Sequence, residues 1–356
     1  AIEPSFSKIE TAPLYKFARN AAKARKDIGQ APMATNWSMP RTGARLMDTH
    51  ADGGQRTIVS TANNINRNEW DQFVRTHHDG TFFHLSGWSE TARSVYKYDP
   101  VYISARRDGD LVGILALTDA KAPVTGRSLV STAFSVGGGP LADDEETLRC
   151  LLETAESIGA SRKVDYIELR CNFANDGWQE KWGTRGNTSK KASWGKKSHR
   201  INKSWRSNLR ATPRSRFFYS LYAESLHRLG TPVFPKSFLQ TLLEEFQDAA
   251  EILTLRYRGA PVASLVNFYH NDTVLPYYVG ANDNAREARA FDYLYWITMR
   301  RAFARGITHF DFGRSKIESG PFAYKKLWGF KPEPISYRIK PIRAKAIINN
   351  YFFKYL

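Results

Sequence analysis

Residues 251–280 read EILTLRYRGAPVASLVNFYHNDTVLPYYVG, and this stretch decides the fold. It holds three runs rich in β-branched and aromatic residues, at 251–257, 262–270 and 273–280. Apolar runs of this length bounded by turn residues predict strands. Arg258-Gly259-Ala260 separates the first two and signals a hairpin, since glycine reaches the positive φ that a tight turn requires. Upstream, 217–229 and 236–249 carry helical spacing. Downstream, Tyr295, Thr298, Met299 and Ala302 share one helical face, and Gly306 is a helix-ending signal. A last strand is expected at 307–313, ITHFDFG.

The same order occurs earlier in the chain. Helical stretches at 68–75 and 87–96 precede strands at 101–107 and 111–118, which flank Asp108-Gly109-Asp110. A third strand is expected at 128–136. Leu148, Leu151, Leu152 and Ala155 then mark a helix, and 164–170 a strand. Each half therefore runs helix, helix, hairpin, strand, helix, strand. That order predicts an α/β fold of α+β character, with a mixed sheet in each of two tandem units. The expected division is a mobile tail over 1–55 with a short helix around 14–26, a first domain over 56–195, and a second over 196–334 that carries the cleft. The run Gly137-Gly138-Gly139 reads as a tight turn. The next helix opens with Asp143, Asp144, Glu145 and Glu146, which suit the helix dipole and would repel a phosphate.

With 356 residues, 42% of them hydrophobic, the chain can bury full cores. No apolar run is long enough to predict a membrane-spanning helix, and no apolar stretch follows the N-terminal charges as in a secretory signal. Cys150 and Cys171 are too few and too far apart for a zinc knuckle or a redox pair. A reduced, cytoplasmic protein without metal or permanently bound cofactor is the expectation. The net charge of +17 is uneven: between Glu180 and Glu224 there are no acids but twelve Lys and Arg. This block, 181–216, suits RNA phosphates (tRNA included), a nucleotide, an anionic membrane, or solvent alone.

The densest chemistry lies at 310–330, FDFGRSKIESGPFAYKKLWGF. Cations on a strand end flanked by aromatics form a receptor for an anionic ligand or a developing negative charge. Lys325 is the candidate ammonium for that charge, and Lys326 can exchange roles with it. Asp311 points away from Phe310 and Phe312 by strand alternation, to orient a base or to pair with Arg314. Arg314 and Lys316 are candidate ligand cations, while Phe322, Tyr324 and Trp328 shape and dry the pocket. Arg228 precedes Gly230-Thr231-Pro232 and reads either as a phosphate or carboxylate ligand or as a helix-terminal cation. His227 is the candidate proton acceptor. No signature of a metalloprotease, serine hydrolase or P-loop enzyme is present.

Over 57–340 the chain resembles the FemAB/FemABX family of tandem GNAT-like transferases, above all its exosortase/PEP-CTERM-associated members. The resemblance rests on Phe83-His84 with Trp88, on YAESLHRLGTPVF at 222–234, on FDYLYW at 291–296, and on 310–330. It implies two GNAT-like domains and transfer of an aminoacyl or acyl group to an amine on an envelope or exopolysaccharide precursor. It also implies that Tyr222 and Arg228 grip precursor phosphates, that Lys325 lies near the reacting carbonyl, and that the segment after 334 returns to complete the first domain. A site at the inner face of the membrane fits such a precursor. The donor stays open between aminoacyl-tRNA and acyl-CoA. After Gly280 the chain reads ANDNAREARAFDYL, without the glycine-rich pyrophosphate loop of CoA-binding GNAT enzymes, and no coiled-coil arm interrupts the second unit. A non-catalytic protein binding RNA or membranes through the basic block is the alternative.

Overall fold

The computed structural model describes residues 47–48, 57–122, 126–171, 178–180, 186–188, 209–212, 216–330, 332–335 and 337–343. The tail expected over 1–55, apart from 47–48, and most of the basic block 181–216 lie outside the described residues.

The first half contains β1 (Met47–Asp48), β2 (Thr57–Ala62), α1 (Arg67–Thr76), α2 (Ser86–Tyr96), β3 (Pro100–Arg107), β4 (Asp110–Ala122), β5 (Gly126–Ser131), β6 (Leu141–Ala142), α3 (Glu145–Ser161) and β7 (Tyr166–Leu169). Short strands β8 (Gln179–Glu180) and β9 (Gly186–Thr188) come next. The second half holds β10 (Leu209–Thr212), α4 (Phe218–Arg228), α5 (Lys236–Phe246), β11 (Ala250–Tyr257), β12 (Ala260–His270), β13 (Thr273–Ala281), α6 (Asn284–Glu287), α7 (Ala290–Ala304), β14 (His309–Phe310) and α8 (Gly320–Leu327). β15 (Glu333–Ile335) and β16 (Arg338–Pro341) end the described chain.

Two mixed sheets result. One runs β1-β2-β3-β4-β5-β7-β16-β8, with β6 against β4; the other runs β10-β11-β12-β13-β14. In each, one parallel pair follows the crossover helix: β5 with β7, and β13 with β14. The hairpin turns form as expected, with Asp108 and Gly109 at φ 53° and 96° and Arg258 and Gly259 at 49° and 84°. Asp144 caps α3 by accepting from Thr147 N at 2.7 Å. β16 joins the first sheet antiparallel to β7, so the chain returns there after finishing the second half.

Some expected boundaries change for local reasons. The strand expected at 128–136 stops at Ser131, because Thr132 and Phe134 adopt φ 48° and 63° and turn the chain away. The strand expected at 307–313 pairs only at His309–Phe310, and Gly313 at φ 65° bends the chain out of the sheet direction. β2 and β10, which the strand patterning did not reveal, each precede the two helices of their half and form antiparallel pairs with the first hairpin strand.

The halves share a core. Phe82 and Trp88 of the first half pack with Phe246 and Phe268 of the second, with the Phe82–Phe268 rings stacked at 4.3 Å. Trp88 is buried and donates to Ala133 O at 2.7 Å. A hydrophobic junction of this kind opposes relative motion of the halves.

Candidate active site

β13 and β14 pair only at Thr273–His309 and Val274–Phe310, after which the two segments part. One further bond, Asp311 N to Val274 O at 2.9 Å, marks the point of separation. Beyond it β13 keeps its ladder to β12 on one side only. Residues 311–319 continue on the other side of this fork.

α8 follows on that side. Ser319 caps it, accepting from Phe322 N at 3.3 Å and donating to Lys316 O at 2.6 Å, and Pro321 sits in its first turn. Lys325 in the last turn reaches back to the strand end. Its Nζ donates to Phe312 O at 2.6 Å, Gly313 O at 3.1 Å and Arg314 O at 3.3 Å. Burial lowers its pKa to about 8, with Asp311 opposing the shift. Lys326 is exposed, with its ammonium 5.7 Å from the Phe322 ring centroid. Lys325 is thus the lysine at the strand end. Its three protons already meet main-chain carbonyls, so contact with a ligand oxygen requires that one be exchanged.

Asp311 accepts from Gly313 N at 2.7 Å, an Asx turn that fixes the bend. Its charge acts on Lys325. Phe312, buried, packs with Phe310 and Phe330 at 4.7 Å each and with Tyr295 at 5.1 Å. Trp328 and Tyr324 continue this aromatic wall, and Tyr324 donates to Asp292 Oδ1 at 2.8 Å. Phe322 is half-buried, and Lys316 faces solvent. Ser315 is buried, with its Oγ unpartnered among the described residues.

Arg314 is exposed and leans on Tyr337, donating weakly to its hydroxyl at 3.4 Å. The Tyr337 hydroxyl donates to Val136 O of the first half at 3.5 Å, and Arg170 lies 5.6 Å from its ring centroid. Tyr337 therefore joins the two halves beside Arg314. Sequence reading did not reach it, because the contacts run between segments far apart in the chain.

The remaining expected residues lie elsewhere. Tyr222 is a core residue: buried, it stacks on Phe218 at 5.5 Å and meets Tyr278 edge-on at 5.8 Å. Its main chain touches Gly280 of β13, where an added Cβ would come within 2.3 Å. Arg228 ends α4 and donates to Glu224 at 2.9 Å, to Asp283 at 3.0 Å and to Ala281 O. His227 beside it is exposed. Gly313 touches Leu275, whereas Arg228 bonds Ala281, six residues further along β13. At about 3.3 Å per residue the two groups stand roughly 20 Å apart. The structure separates Arg228, His227 and Tyr222 from Lys325 and Asp311. The segment after β13 carries Asp283, Arg286, Glu287 and Arg289, with Asp283 paired to Arg228 and Glu287 to Arg258.

Among the described residues, the group able to offer three metal ligands is His77, His78 and Asp79. His77 Nδ1 already accepts from Asp79 N at 3.1 Å, and its Nε2 lies 3.2 Å from Ala142 O.

The sequence profile of the Acetyltransferase (GNAT) domain matches residues 191–326. A Lipid II:glycine glycyltransferase of Staphylococcus aureus (strain bovine RF122 / ET3-1) is 30% identical over 107 residues, 30% of this chain and 24% of that protein. The chain thus spans about a quarter of the length of the curated relatives it matches. The structure of FemX superposes with a TM-score of 0.63 at 15% identity, covering 80% of this chain and 97% of FemX. A tandem GNAT protein from the clavulanic acid biosynthesis pathway gives 0.54 at 10% identity, over 80% and 98% of the two chains. The fold is therefore that of the tandem GNAT proteins. Within that class the chain is similar in fold to FemX and, over the 107-residue stretch, in sequence to the Lipid II:glycine glycyltransferases.

Proposed function

We propose that the chain is an aminoacyl or acyl transferase that forms an amide on an amine-bearing, anionic cell-envelope precursor. The observation that carries this reading is Lys325: an ammonium of lowered pKa, fixed where β13 and β14 part, in a tandem GNAT fold. The matched stretch of the Lipid II:glycine glycyltransferases points to an aminoacyl donor and a lipid-linked acceptor. In the step, the acceptor nitrogen attacks the donor's carbonyl carbon. A C–N bond forms, the C–O bond of an ester or C–S bond of a thioester breaks, and the amine proton ends on the departing oxygen or sulfur. Lys325 stabilises the oxyanion formed between these events by exchanging one carbonyl for it. Asp311 holds the Gly313 bend, and the aromatic wall excludes water.

On this reading the working unit is 196–334, and the segment from 335 serves the first domain. Arg314, Lys316, Phe322 and Trp328 line the acceptor side, whereas Arg228 and Tyr222 act on the α4–β13 junction. Aminoacyl-tRNA is favoured over acyl-CoA because the segment after β13, 281–289, lacks the glycine-rich pyrophosphate loop of CoA-binding GNAT enzymes. Docking of tRNA on 181–216 and contact with the inner membrane face complete the proposal. Among the described residues no helix is long and apolar enough to cross a membrane. The exosortase setting rests on the sequence resemblance alone. The purely binding alternative is not favoured by the relatives.

The test supplies purified protein with a lipid-linked muropeptide amine and either labelled aminoacyl-tRNA or labelled acetyl-CoA. Amide-bound label from the tRNA is expected. Transfer from acetyl-CoA alone would reassign the donor, and transfer from neither would refute the reading.

A further inference from the structure

The first hairpin of each half carries the same irregularity, and the charges beside it are treated differently. β3 and β4 shift register between Ala105 and Arg106, and β11 and β12 between Leu255 and Arg256. A bulge of this kind sharpens the twist and re-aims the side chains next to it. In the first half the arginines after the shift are neutralised. Arg106 pairs with Glu69 at 2.6 Å and Arg107 with Asp144 at 2.9 Å, and the residue opposite Arg106 on β2 is Ile58. In the second half the residue opposite Arg256 is Arg210 of β10. Arg256 has no carboxylate partner among the described residues. Like charges directly opposite on neighbouring strands repel, so this edge holds positive charge that the fold itself does not use.

The arginines are held on aromatic rings. Arg256 lies 5.0 Å from the Phe217 ring centroid, and the exposed Arg216 lies 4.5 Å from the same centroid. Arg256 also donates to Gly259 O of the hairpin turn. The exposed Arg258 lies 4.8 Å from the Tyr257 ring centroid. Among the described residues, the carboxylate that meets these groups is Glu287, 3.4 Å from Arg258 and accepting from the Tyr257 hydroxyl at 3.0 Å. β10 ends its sheet among the described residues, and it belongs to the stretch between Glu180 and Glu224 that contains no acid.

Planar guanidiniums fixed on rings suit two features found together in RNA, the phosphate oxygens and the faces of unpaired bases. A bilayer surface would call for protruding apolar side chains among the cations. Among the described residues, no exposed large hydrophobic side chain lies on this edge. Three strands separate β10 from β14, so the edge stands roughly 20 Å across the sheet from the fork at Lys325, at about 4.8 Å per strand.

We infer that the β10–β11 edge, with Arg216, Arg256 and Arg258 around Phe217 and Tyr257, is a docking surface for the phosphodiester backbone of RNA. The kind of RNA rests on the aminoacyl-tRNA reading of the donor. The surface itself belongs to the folded second half and adds to the basic block.

The test titrates the full chain against fluorescein-labelled, uncharged bulk tRNA, followed by anisotropy at several salt concentrations. The edge variant Arg216→Gln/Arg256→Gln/Arg258→Gln is compared with Lys97→Gln/Lys121→Gln/Arg149→Gln, which removes the same charge from exposed positions of the first half. The edge variant should bind about tenfold or more weakly, with the slope of log Kd against log salt smaller by about 2, while the control changes less than about twofold. Arg258→Glu alone, a change at one exposed turn residue, should weaken binding about threefold or more and guards against loss of folding in the triple variant. Equal losses in the edge and control variants, unaltered affinity in the edge variant, or no saturable binding by the wild type would each overturn the inference. Lost binding to phosphatidylglycerol vesicles with tRNA binding intact would overturn it too, by assigning the edge to a membrane. Uncharged tRNA undergoes no transfer, so this result is independent of whether the chain forms amides. Amide formation from aminoacyl-tRNA with unaltered binding in the edge variant would sink this inference alone.

Discussion

The two halves end their parallel strand pairs differently. In the first, β5 and β7 part after Val130–Glu168, and Arg170 fills the gap. Arg170 is buried, pairs with Glu168 at 3.2 Å, and donates to Ser135 O at 2.5 Å and Thr132 O at 3.4 Å. β16 then covers the far side of β7. In the second half, β13 and β14 part in the same way, but among the described residues no side chain bridges the gap as Arg170 does. Lys325 caps one wall only, and among the described residues β14 has no strand on its far side. The same topology thus gives one closed fork and one open fork. A buried, fully paired guanidinium makes structure; a half-buried ammonium on exchangeable carbonyls is available to chemistry.

The largest expected effect breaks the closed fork. Arg170→Met leaves the buried Glu168 carboxylate without its cation and should cost about 3–5 kcal/mol of stability, read from urea unfolding. A smaller loss would mean that the guanidinium is not what closes the fork.

Acid should loosen the same region. His84 donates to the main chain of Gly139, at the end of the loop after β5, and accepts from Thr81 N at 3.1 Å. Burial, followed by His270, pulls its pKa down to about 3. With an unfolded value near 6.5, the unfolded chain binds the extra proton between these limits, so stability falls as pH drops from about 6.5 towards 3. Hydrogen exchange at 132–139 should speed up in that window, and His84→Gln should flatten the dependence.

At the open fork the pH effect falls on rate. If the Lys325 ammonium stabilises the oxyanion, kcat/KM should decline as pH rises through about 8. Stability moves the other way: the folded value lies below the ordinary lysine value near 10.4, so the unfolded chain holds more protons between them and stability gains with pH there. Lys325→Arg, where it retains activity, should lose the falling limb.

The smallest effect concerns Arg228. Its partners are exposed side chains and one carbonyl, so Arg228→Ala should cost about 0–1 kcal/mol of stability and leave turnover near wild type. A tenfold rise in KM for the acceptor, with Tm unchanged, would instead make it a ligand cation and extend the site along β13.

Much of this contrast was legible in the chain. The hairpins at Asp108-Gly109 and Arg258-Gly259 and the face carrying Leu148, Leu151, Leu152 and Ala155 are set by local chemistry, and so the repeated order was readable. The lysine pair Lys325–Lys326 was readable beside the strand end, since strand end, cap and helix are neighbours in sequence, but which of the two reaches back to it was not. Arg170 and Tyr337 were not, because their partners at 132–136 and 314 are fixed by tertiary pairing rather than by spacing. The early end of β5 was hidden for another reason: Thr132 and Phe134 adopt left-handed φ, which neither residue type advertises. Tyr222 and Arg228 stand apart from Lys325 for a reason spacing does not carry: a buried ring and a helix-end cation have the same letters as ligand residues.

The most direct measurement compares wild type and Lys325→Met in single-turnover amide formation, with hydrogen exchange confirming equal folding. Loss of about 10²–10³ in rate with unchanged protection elsewhere is expected if the open fork is the reacting centre. Equal rates in the two proteins would contradict it.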